Sequence, residues 1–254
     1  MHINKQIYPD FAQDESFLDR IVSKYETEGE NYGNQDRNSL KLFELNGKTI
    51  NVKSFKIPNI INQIAYRFFR SSKAQRSFEY ANALKKLSVG TPQPIAYYEY
   101  KSLLFFNKSY YISEHLNYGL TYRELTTDFN YPNWEAILRA FTRFTFDLHE
   151  KGVNFLDHSP GNTLITTKNN EYKFYLVDLN RMEFKTMNFQ DRMQNFARLT
   201  PYKEMVQVMS DEYAKIAELD YDKVFTTMWI LTSEFQQKFH QKQRLKKKLK
   251  FWKK

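Results

Sequence analysis

Alternating hydrophobic and polar residues predict a β-hairpin in the first quarter of the chain. Two alternating runs, Ser39–Leu45 and Thr49–Phe55, flank the dipeptide Asn46-Gly47. Asn-Gly favours a two-residue hairpin turn because both residues tolerate a positive φ. The period of two then places Lys53 on the face of its strand opposite to Val52, away from the hydrophobic side.

Helical periodicity follows from residue 59 to residue 88. Its first part carries an apolar stripe flanked by Arg67 and Arg70, formed by Ile60, Ile61, Ile64, Ala65 and Phe68. A second segment, Ser72–Leu87, includes Glu79 and has its own apolar positions at helical spacing, namely Ala74, Phe78, Ala81 and Leu84. A glycine and two prolines in the next few residues end this helix.

The next elements are two aromatic-rich strands and a long helix. The strands are predicted at Ile95–Tyr100 and Ser109–Glu114, and the helix at Trp134–Lys151, where hydrophobic residues recur every three or four positions. Asn133 is expected to cap this helix at its start. After residue 181, helical segments are predicted to about residue 239.

The composition narrows the class of protein. With 254 residues, 41% hydrophobic and 17% aromatic, the chain can bury a substantial core. It has no cysteine, which excludes disulfides and thiolate metal sites, and its five histidines lack the spacing of zinc ligands. The start of the chain lacks an apolar signal segment, and no run approaches 18 apolar residues. We therefore expect a cytoplasmic location.

The net charge of +9 is concentrated at the C-terminus. The last 17 residues contain nine Lys or Arg and no acid, and they carry Leu245, Leu249 and Trp252 on one helical face. Such a segment can lie on an anionic membrane surface. Basic runs also bind nucleic acid, or simply remain solvated, so the pattern alone leaves all three interpretations open.

The candidate chemistry lies between His149 and Arg181. Asp157 precedes Asn162 by five residues, and Asp178 ends the apolar run Phe174–Val177. Phosphoryl transfer needs a carboxylate that orients the acceptor hydroxyl and takes its proton, and hard oxygen ligands for magnesium. Asp157 suits the first role, and Asn162 and Asp178 suit the second.

A hairpin is predicted between the two halves of this constellation. Its strands are Thr163–Thr167 and Lys173–Asp178, joined by an Asn169-Asn170 turn, and it would return Asp178 towards Asp157 and Asn162. Taken alone, Asp-x-x-Pro-Gly-Asn more often marks an ordinary turn, because Asp, Pro, Gly and Asn are turn residues.

Three further polar residues lie in or beside this stretch. His158 is either catalytic or an ordinary loop histidine, and His149 is expected to pack and form hydrogen bonds at the end of its helix. For Arg181, both an anion contact and a structural salt bridge are open.

In the order of these motifs the sequence resembles the kinase-like phosphotransferases, and among them the lipopolysaccharide core kinases of the Kdo/WaaP family. The resemblance covers roughly residues 30–200. It consists of LHEKG, DHSPGN and VDLNR in the second half, and of VKSF, SKAQRSFEYANALKKL and TPQPIAYYEY in the first. The spacing of the parts makes it more specific than any single motif.

The resemblance implies a role for each matching residue. Asp157 matches the catalytic base, while Asn162 and Asp178 match the magnesium ligands. Lys53 matches the lysine that binds the α- and β-phosphates of ATP, and Glu79 is the best helix partner for it. Lys56 is an alternative to Lys53, although the strand face favours Lys53.

The sequence also departs from the kinase pattern. The usual His-Arg before the catalytic aspartate is Phe155-Leu156, and Asn180 replaces the glycine after Asp178. The motif Gly-x-Gly-x-x-Gly does not occur, and only Gly29 and Gly33 precede the hairpin, so we expect a phosphate loop that is poor in glycine. These departures argue against a eukaryotic-type protein kinase.

We therefore predict an α+β, bilobal protein-kinase-like fold with a small β-rich N-lobe and a mainly helical C-lobe. The expected boundaries are residues 1–116 for the N-lobe, 117–237 for the C-lobe and 238–254 for a basic amphipathic tail, with Gly119 in the connector.

The predicted function is an ATP- and Mg²⁺-dependent kinase that phosphorylates a Kdo or heptose hydroxyl of the lipopolysaccharide inner core. Its expected partners are the lipopolysaccharide core or a lipid A precursor, and an anionic membrane surface bound through the tail, which would place the enzyme peripherally on the inner face of the inner membrane. No nucleic-acid partner is expected. The alternatives are a kinase for another small-molecule or protein acceptor, and a catalytically silent membrane-associated pseudokinase.

Overall fold

The computed structural model describes residues 2–33, 38–169 and 171–251, with side chains as far as residue 248. It divides into two compact units. The first comprises Met1–Asn117 together with Asp178–Asn180, and the second comprises Tyr118–Val177 and Arg181–Lys254. The first is rich in strands and the second is mainly helical, as the predicted fold class requires.

The N-terminal unit is built on one antiparallel sheet of six strands in the order β1-β5-β6-β4-β3-β2. The strands are β1 (His2–Ile7), β2 (Glu30–Asn31), β3 (Asn38–Leu45), β4 (Lys48–Phe55), β5 (Pro94–Lys101) and β6 (Phe106–Glu114). A 3-10 helix (Pro9–Asp14) and three α-helices complete the unit, namely α1 (Glu15–Ser23), α2 (Ile60–Phe68) and α3 (Lys73–Lys86).

The predicted hairpin is confirmed. β3 and β4 pair antiparallel, and both turn residues have positive φ, 52° at Asn46 and 75° at Gly47. Val52 is buried in the core that α1 and the sheet enclose, and Lys53 lies half-buried on the opposite face.

Four elements near the N-terminus were not predicted, namely β1, the 3-10 helix, α1 and β2. β1 pairs with β5 at the edge of the sheet, and α1 contributes three buried residues, Leu18, Ile21 and Val22. Only one face of α1 is apolar, and β1 buries none of its residues, so the segment looks mixed and polar along the sequence.

The predicted helical stretch forms two capped helices. Asn59 accepts a hydrogen bond from the backbone N–H of Asn62, and Ser72 accepts one from that of Gln75, so a side-chain cap fixes each start. α3 packs its apolar face against the sheet, with Phe78 beside Tyr97. α2, in contrast, buries none of its residues.

The C-terminal unit contains five helices and five short strands within its described residues. The helices are α4 (Tyr122–Thr127), α5 (Trp134–Glu150), α6 (Phe189–Phe196), α7 (Lys203–Ala217) and α8 (Tyr221–Phe251). The strands are β7 (Leu120–Thr121), β8 (Val153–Phe155), β9 (Thr163–Lys168), β10 (Glu171–Leu176) and β11 (Met182–Phe184). The core of this unit centres on α5 and α7, with Phe141, Tyr122 and Tyr213 fully buried.

Helix α5 confirms the predicted long helix, but its start differs from the expectation. Asn133 is in the left-handed region at φ 60° and its side chain makes no capping hydrogen bond, so the predicted cap is wrong. The helix instead begins after a turn in which the Trp134 backbone N–H donates to the Tyr131 carbonyl at 3.0 Å. Gly152 follows its C-terminal end at φ 68°.

The second predicted hairpin is present as β9 and β10, which pair antiparallel. Asn169 has φ 52°, as its predicted place in the turn requires, while Asn170 lies outside the described residues.

Helix α8 continues without a break from Tyr221 to Phe251 and so includes most of the basic tail. Of the three residues predicted to share one face of the tail, Leu249 and Trp252 lie beyond the last described side chain. In the part of the chain that the structure describes, no helix combines the length and the apolar character needed to cross a membrane.

Candidate functional site

Lys53 and Asp178 form an ion pair in the N-terminal unit. The Lys53 Nζ atom donates to Asp178 Oδ1 at 2.6 Å, and the Asn180 side-chain amide donates to the same oxygen at 2.9 Å. Strand β4 fixes the lysine on the face away from the core, and its ammonium also lies 5.4 Å from the centre of the Phe55 ring. The structure therefore brings together two predicted site residues that are 125 positions apart in the sequence.

The backbone of Asp178 is strained. Its φ of 59° lies in the left-handed region, which non-glycine residues seldom adopt and which costs on the order of 1 kcal/mol. Burial alone would raise the pKa of the Asp178 carboxyl, but the charge of Lys53 and the hydrogen bonds from Lys53 and Asn180 hold that pKa below its ordinary value. Asp178 is thus an ionised carboxylate in a fixed orientation.

Two other candidates from the sequence lie apart from this ion pair. Glu79 is exposed on α3 and accepts a hydrogen bond from Gln75 Nε2 at 2.7 Å, whereas Lys53 is bonded to Asp178. Lys56, the alternative phosphate-binding lysine, is exposed.

In the C-terminal unit, Asp157 and Asn162 lie in the loop between β8 and β9. The Asn162 side-chain Nδ2 donates to the Asp157 carbonyl oxygen at 2.8 Å, and the Asn162 carbonyl accepts from the Val177 N–H at 3.0 Å. The first bond engages the amide nitrogen, and the amide oxygen is the atom that a hard cation binds. The loop therefore holds Asn162 by both its side chain and its backbone.

Arg198 contacts Asp157 and was not predicted. Its Nη1 atom lies 2.9 Å from Asp157 Oδ1 and donates to the Leu156 carbonyl at 3.0 Å. The guanidinium also lies over the Phe235 ring at 5.3 Å from its centre. The residue follows α6 in a stretch without a motif, and the one signal available, an arginine beside buried hydrophobic residues, is common.

A buried polar cluster lies beneath this loop. Asn195 donates from its Nδ2 atom to the Phe155 carbonyl at 2.9 Å, which fixes the amide orientation, so its Oδ1 atom must accept. His158 Nδ1 lies 2.9 Å from that oxygen and His149 Nε2 lies 3.3 Å from it. His158 Nδ1 and His149 Nε2 therefore each carry a proton. The other nitrogen of His149, Nδ1, accepts from the Tyr213 hydroxyl at 2.9 Å.

Both histidines are neutral for a physical reason. Burial lowers the pKa of His149 to about 3 and that of His158 to about 4, because the charged imidazolium would lose its hydration. The expectation that His149 packs and forms hydrogen bonds is confirmed. His158 packs against the Phe155 and Phe141 rings and links the loop to Asn195. Arg181 is exposed, and within the described residues its side chain makes no ion pair.

Each unit, taken by itself, offers an oxygen donor of the kind that magnesium binds. No group of three or more His, Cys, Asp or Glu side chains suited to a metal is found among the described residues. Mg²⁺ commonly binds through one or two protein oxygens and completes its shell with phosphates and water. The ionised Asp178 carboxylate and the Asn162 amide oxygen are donors of that type.

Comparison with known proteins defines first the fold and then the family. The structure of WaaP in complex with acyl carrier protein matches at TM-score 0.64 and 16% identity, covering 94% of this chain and 98% of that one. A MAP kinase from Leishmania major matches at TM-score 0.47 and 14% identity, covering 78% of this chain and 60% of that one. The match to WaaP, over nearly the whole of both chains, shows that the two proteins share a fold.

The family follows from the sequence profile of the lipopolysaccharide kinase (Kdo/WaaP) family, which matches residues 20–224. The chain belongs to this family, and it is accordingly a phosphotransferase of the kinase type. No curated protein matches it in sequence.

Proposed function

We propose that this protein transfers the γ-phosphoryl group of ATP to a Kdo or heptose hydroxyl of the lipopolysaccharide inner core. Family membership supports the acceptor class. The observation that carries the proposal is the Lys53–Asp178 ion pair at 2.6 Å, in which a strand lysine meets a strained, ionised aspartate. A strained backbone and a perturbed carboxylate at one residue are typical of functional sites.

Each site residue is assigned one role. Lys53 binds phosphate oxygens through its ammonium, and Asp178 and Asn162 would hold magnesium through oxygen atoms. Magnesium, when bound, neutralises charge on the phosphates. Asp157 orients the acceptor hydroxyl and accepts its proton, so it must be kept ionised and fixed in position.

Glu79 retains its proposed role as the helix partner of Lys53. Its place on α3, a helix that packs against the sheet containing β4, supports this assignment. In the structure its carboxylate accepts from Gln75.

Incubation of the purified protein with labelled ATP, Mg²⁺ and Kdo-lipid A tests the proposal. We expect label on the glycolipid, and its loss in Asp157→Asn, which keeps the size of the side chain but cannot accept the proton. Exposed Asp220→Asn is a matched control and should retain full activity. If the wild-type protein leaves the glycolipid unlabelled but labels a soluble sugar, the acceptor is a soluble sugar and not the lipopolysaccharide core.

We also propose that the basic end of α8 holds the enzyme peripherally on the inner face of the inner membrane. Helix α8 carries Arg244, Lys246, Lys247 and Lys248 on exposed positions, beside the exposed Leu245. Each basic residue near an anionic surface contributes roughly 1 kcal/mol. Replacing these four basic residues by Gln should weaken binding to anionic vesicles while leaving turnover of a soluble acceptor unchanged.

A further inference from the structure

Helix α2 presents its apolar stripe to solvent. Ile60 and Ile61 are 65% and 79% exposed, and Phe69, directly after the helix, is 82% exposed. In a globular protein an amphipathic helix normally turns such a stripe towards the core. The orientation of α2 is therefore reversed with respect to the usual arrangement.

The helix is firmly attached by its other side. Asn59 caps its start, and the Arg67 Nε atom donates to the Ser102 carbonyl at 3.1 Å. The Tyr66 ring packs against Phe106 of β6 at 5.6 Å between ring centres. The exposure of the stripe is thus a consequence of how the helix is anchored.

The loop between β5 and β6 exposes apolar residues beside this helix. Leu103 and Leu104 follow Ser102, and Leu103 is 83% exposed. The turn that carries them is closed by Ser102, whose backbone N–H donates to the Phe105 carbonyl at 2.8 Å. Eight of the nineteen large hydrophobic side chains that the described residues expose lie in these two elements or within three residues of α2. They are Ile57, Ile60, Ile61, Ile64, Phe68, Phe69, Leu103 and Leu104. We call them the α2 surface.

The charge around the α2 surface has one sign. From Lys56 to Arg70, the stretch that contains α2, the sequence has three Lys or Arg and no acid. Arg70, beside Phe69, is exposed. A partner of this surface must therefore accept apolar side chains and carry negative charge.

We propose that the α2 surface docks on a lipid bilayer that contains anionic lipids. A helix with an apolar stripe and flanking Arg residues is the form of an interfacial membrane helix, in which the apolar side chains enter the acyl boundary and the cations meet the headgroups. Two separate elements, a helix side and a loop tip, expose aliphatic and aromatic side chains together. A bilayer can accept both without a shaped counterpart. This contact lies in the N-terminal unit and is distinct from the basic end of α8.

Vesicle co-sedimentation of the full chain tests the proposal in the absence of ATP and acceptor, so the result does not depend on catalysis. Wild-type protein should bind vesicles of phosphatidylglycerol and phosphatidylethanolamine. Ile60→Ser/Ile61→Ser should bind roughly tenfold or more weakly, because two apolar side chains no longer leave water. The matched control Ile3→Ser/Ile230→Ser removes isoleucines that are 48% and 50% exposed elsewhere, and should bind as wild type does.

Insertion is measured with Phe69→Trp as the difference from the wild type, which already contains three Trp. The added fluorescence should shift to the blue and be quenched by brominated lipids, whereas the fluorescence added by Phe184→Trp should show neither change. Unchanged binding of Ile60→Ser/Ile61→Ser, or no quenching of Phe69→Trp, would overturn the proposal. So would binding that is equal on purely zwitterionic vesicles. Concentration-dependent dimerisation that disappears in Ile60→Ser/Ile61→Ser would assign the α2 surface to a second copy, and capture of an acidic protein without lipid would assign it to a protein partner.

Discussion

Arg198 Nη1 lies 2.9 Å from Asp157 Oδ1, so the carboxylate assigned as the base is held by a cation 41 residues further along the chain. The same nitrogen donates to the Leu156 carbonyl, which fixes the loop at the residue before the aspartate. Arg198 is thereby a positioning residue for Asp157.

Arg198→Gln should lower kcat by about tenfold to a hundredfold, because a loosely held base misaligns the acceptor hydroxyl. Arg198→Lys should recover part of the loss, since it restores the charge but not both contacts. Arg143→Gln is the control, because it removes an exposed arginine whose partner is Glu212. Steady-state kinetics with near-wild-type kcat in Arg198→Gln would exclude the positioning role.

Lys53→Ala should reduce kcat/KM for ATP by about a hundredfold or more, because a cation aimed at the transferring phosphates is lost. Lys56→Ala should have a small effect on kcat/KM, because Lys56 lies just after the end of β4 and its side chain is exposed. In Lys53→Ala the pKa of Asp178 should rise, since the charge that lowers it is gone. Equal losses in the two variants would show that strand position does not select the phosphate-binding lysine.

Glu79→Gln should lower kcat/KM for ATP by about tenfold without changing the free energy of unfolding, because the side chain is exposed and its role is electrostatic. Gln75→Ala removes the present partner of Glu79 and should leave kinetics unchanged. If Glu79→Gln has wild-type kinetics, Glu79 has no part in nucleotide binding.

The two buried histidines should make stability depend on pH. Their pKa values in the folded protein, about 3 for His149 and about 4 for His158, lie below the ordinary value near 6.5, so the unfolded chain binds more protons. The stability that they contribute is complete above pH 6.5 and is lost as the pH falls. Each should account for about 2 kcal/mol between pH 6.5 and pH 5.

Urea unfolding at several pH values measures this loss. His158→Gln should flatten the dependence, whereas His240→Gln, exposed on α8, should leave it unchanged. An identical slope in His158→Gln and wild type would contradict the assignment.

The local elements were predictable because they depend on short-range patterns. The Asn46-Gly47 turn, the alternation along β4 and the apolar spacing of α5 each specify a conformation from neighbouring residues. The strand face of Lys53 followed from the same alternation. β1 was missed because an edge strand with exposed polar residues carries no such alternation.

The sequence by itself therefore determined the two hairpins, the long helix α5, the orientation of Lys53 within its strand and the family. Only the tertiary structure decided which distant side chains meet, such as Arg198 with Asp157, and where the stripe of α2 points. The physical reason is that periodicity shows that one side of a helix is apolar, whereas what covers that side depends on packing between elements far apart in the chain.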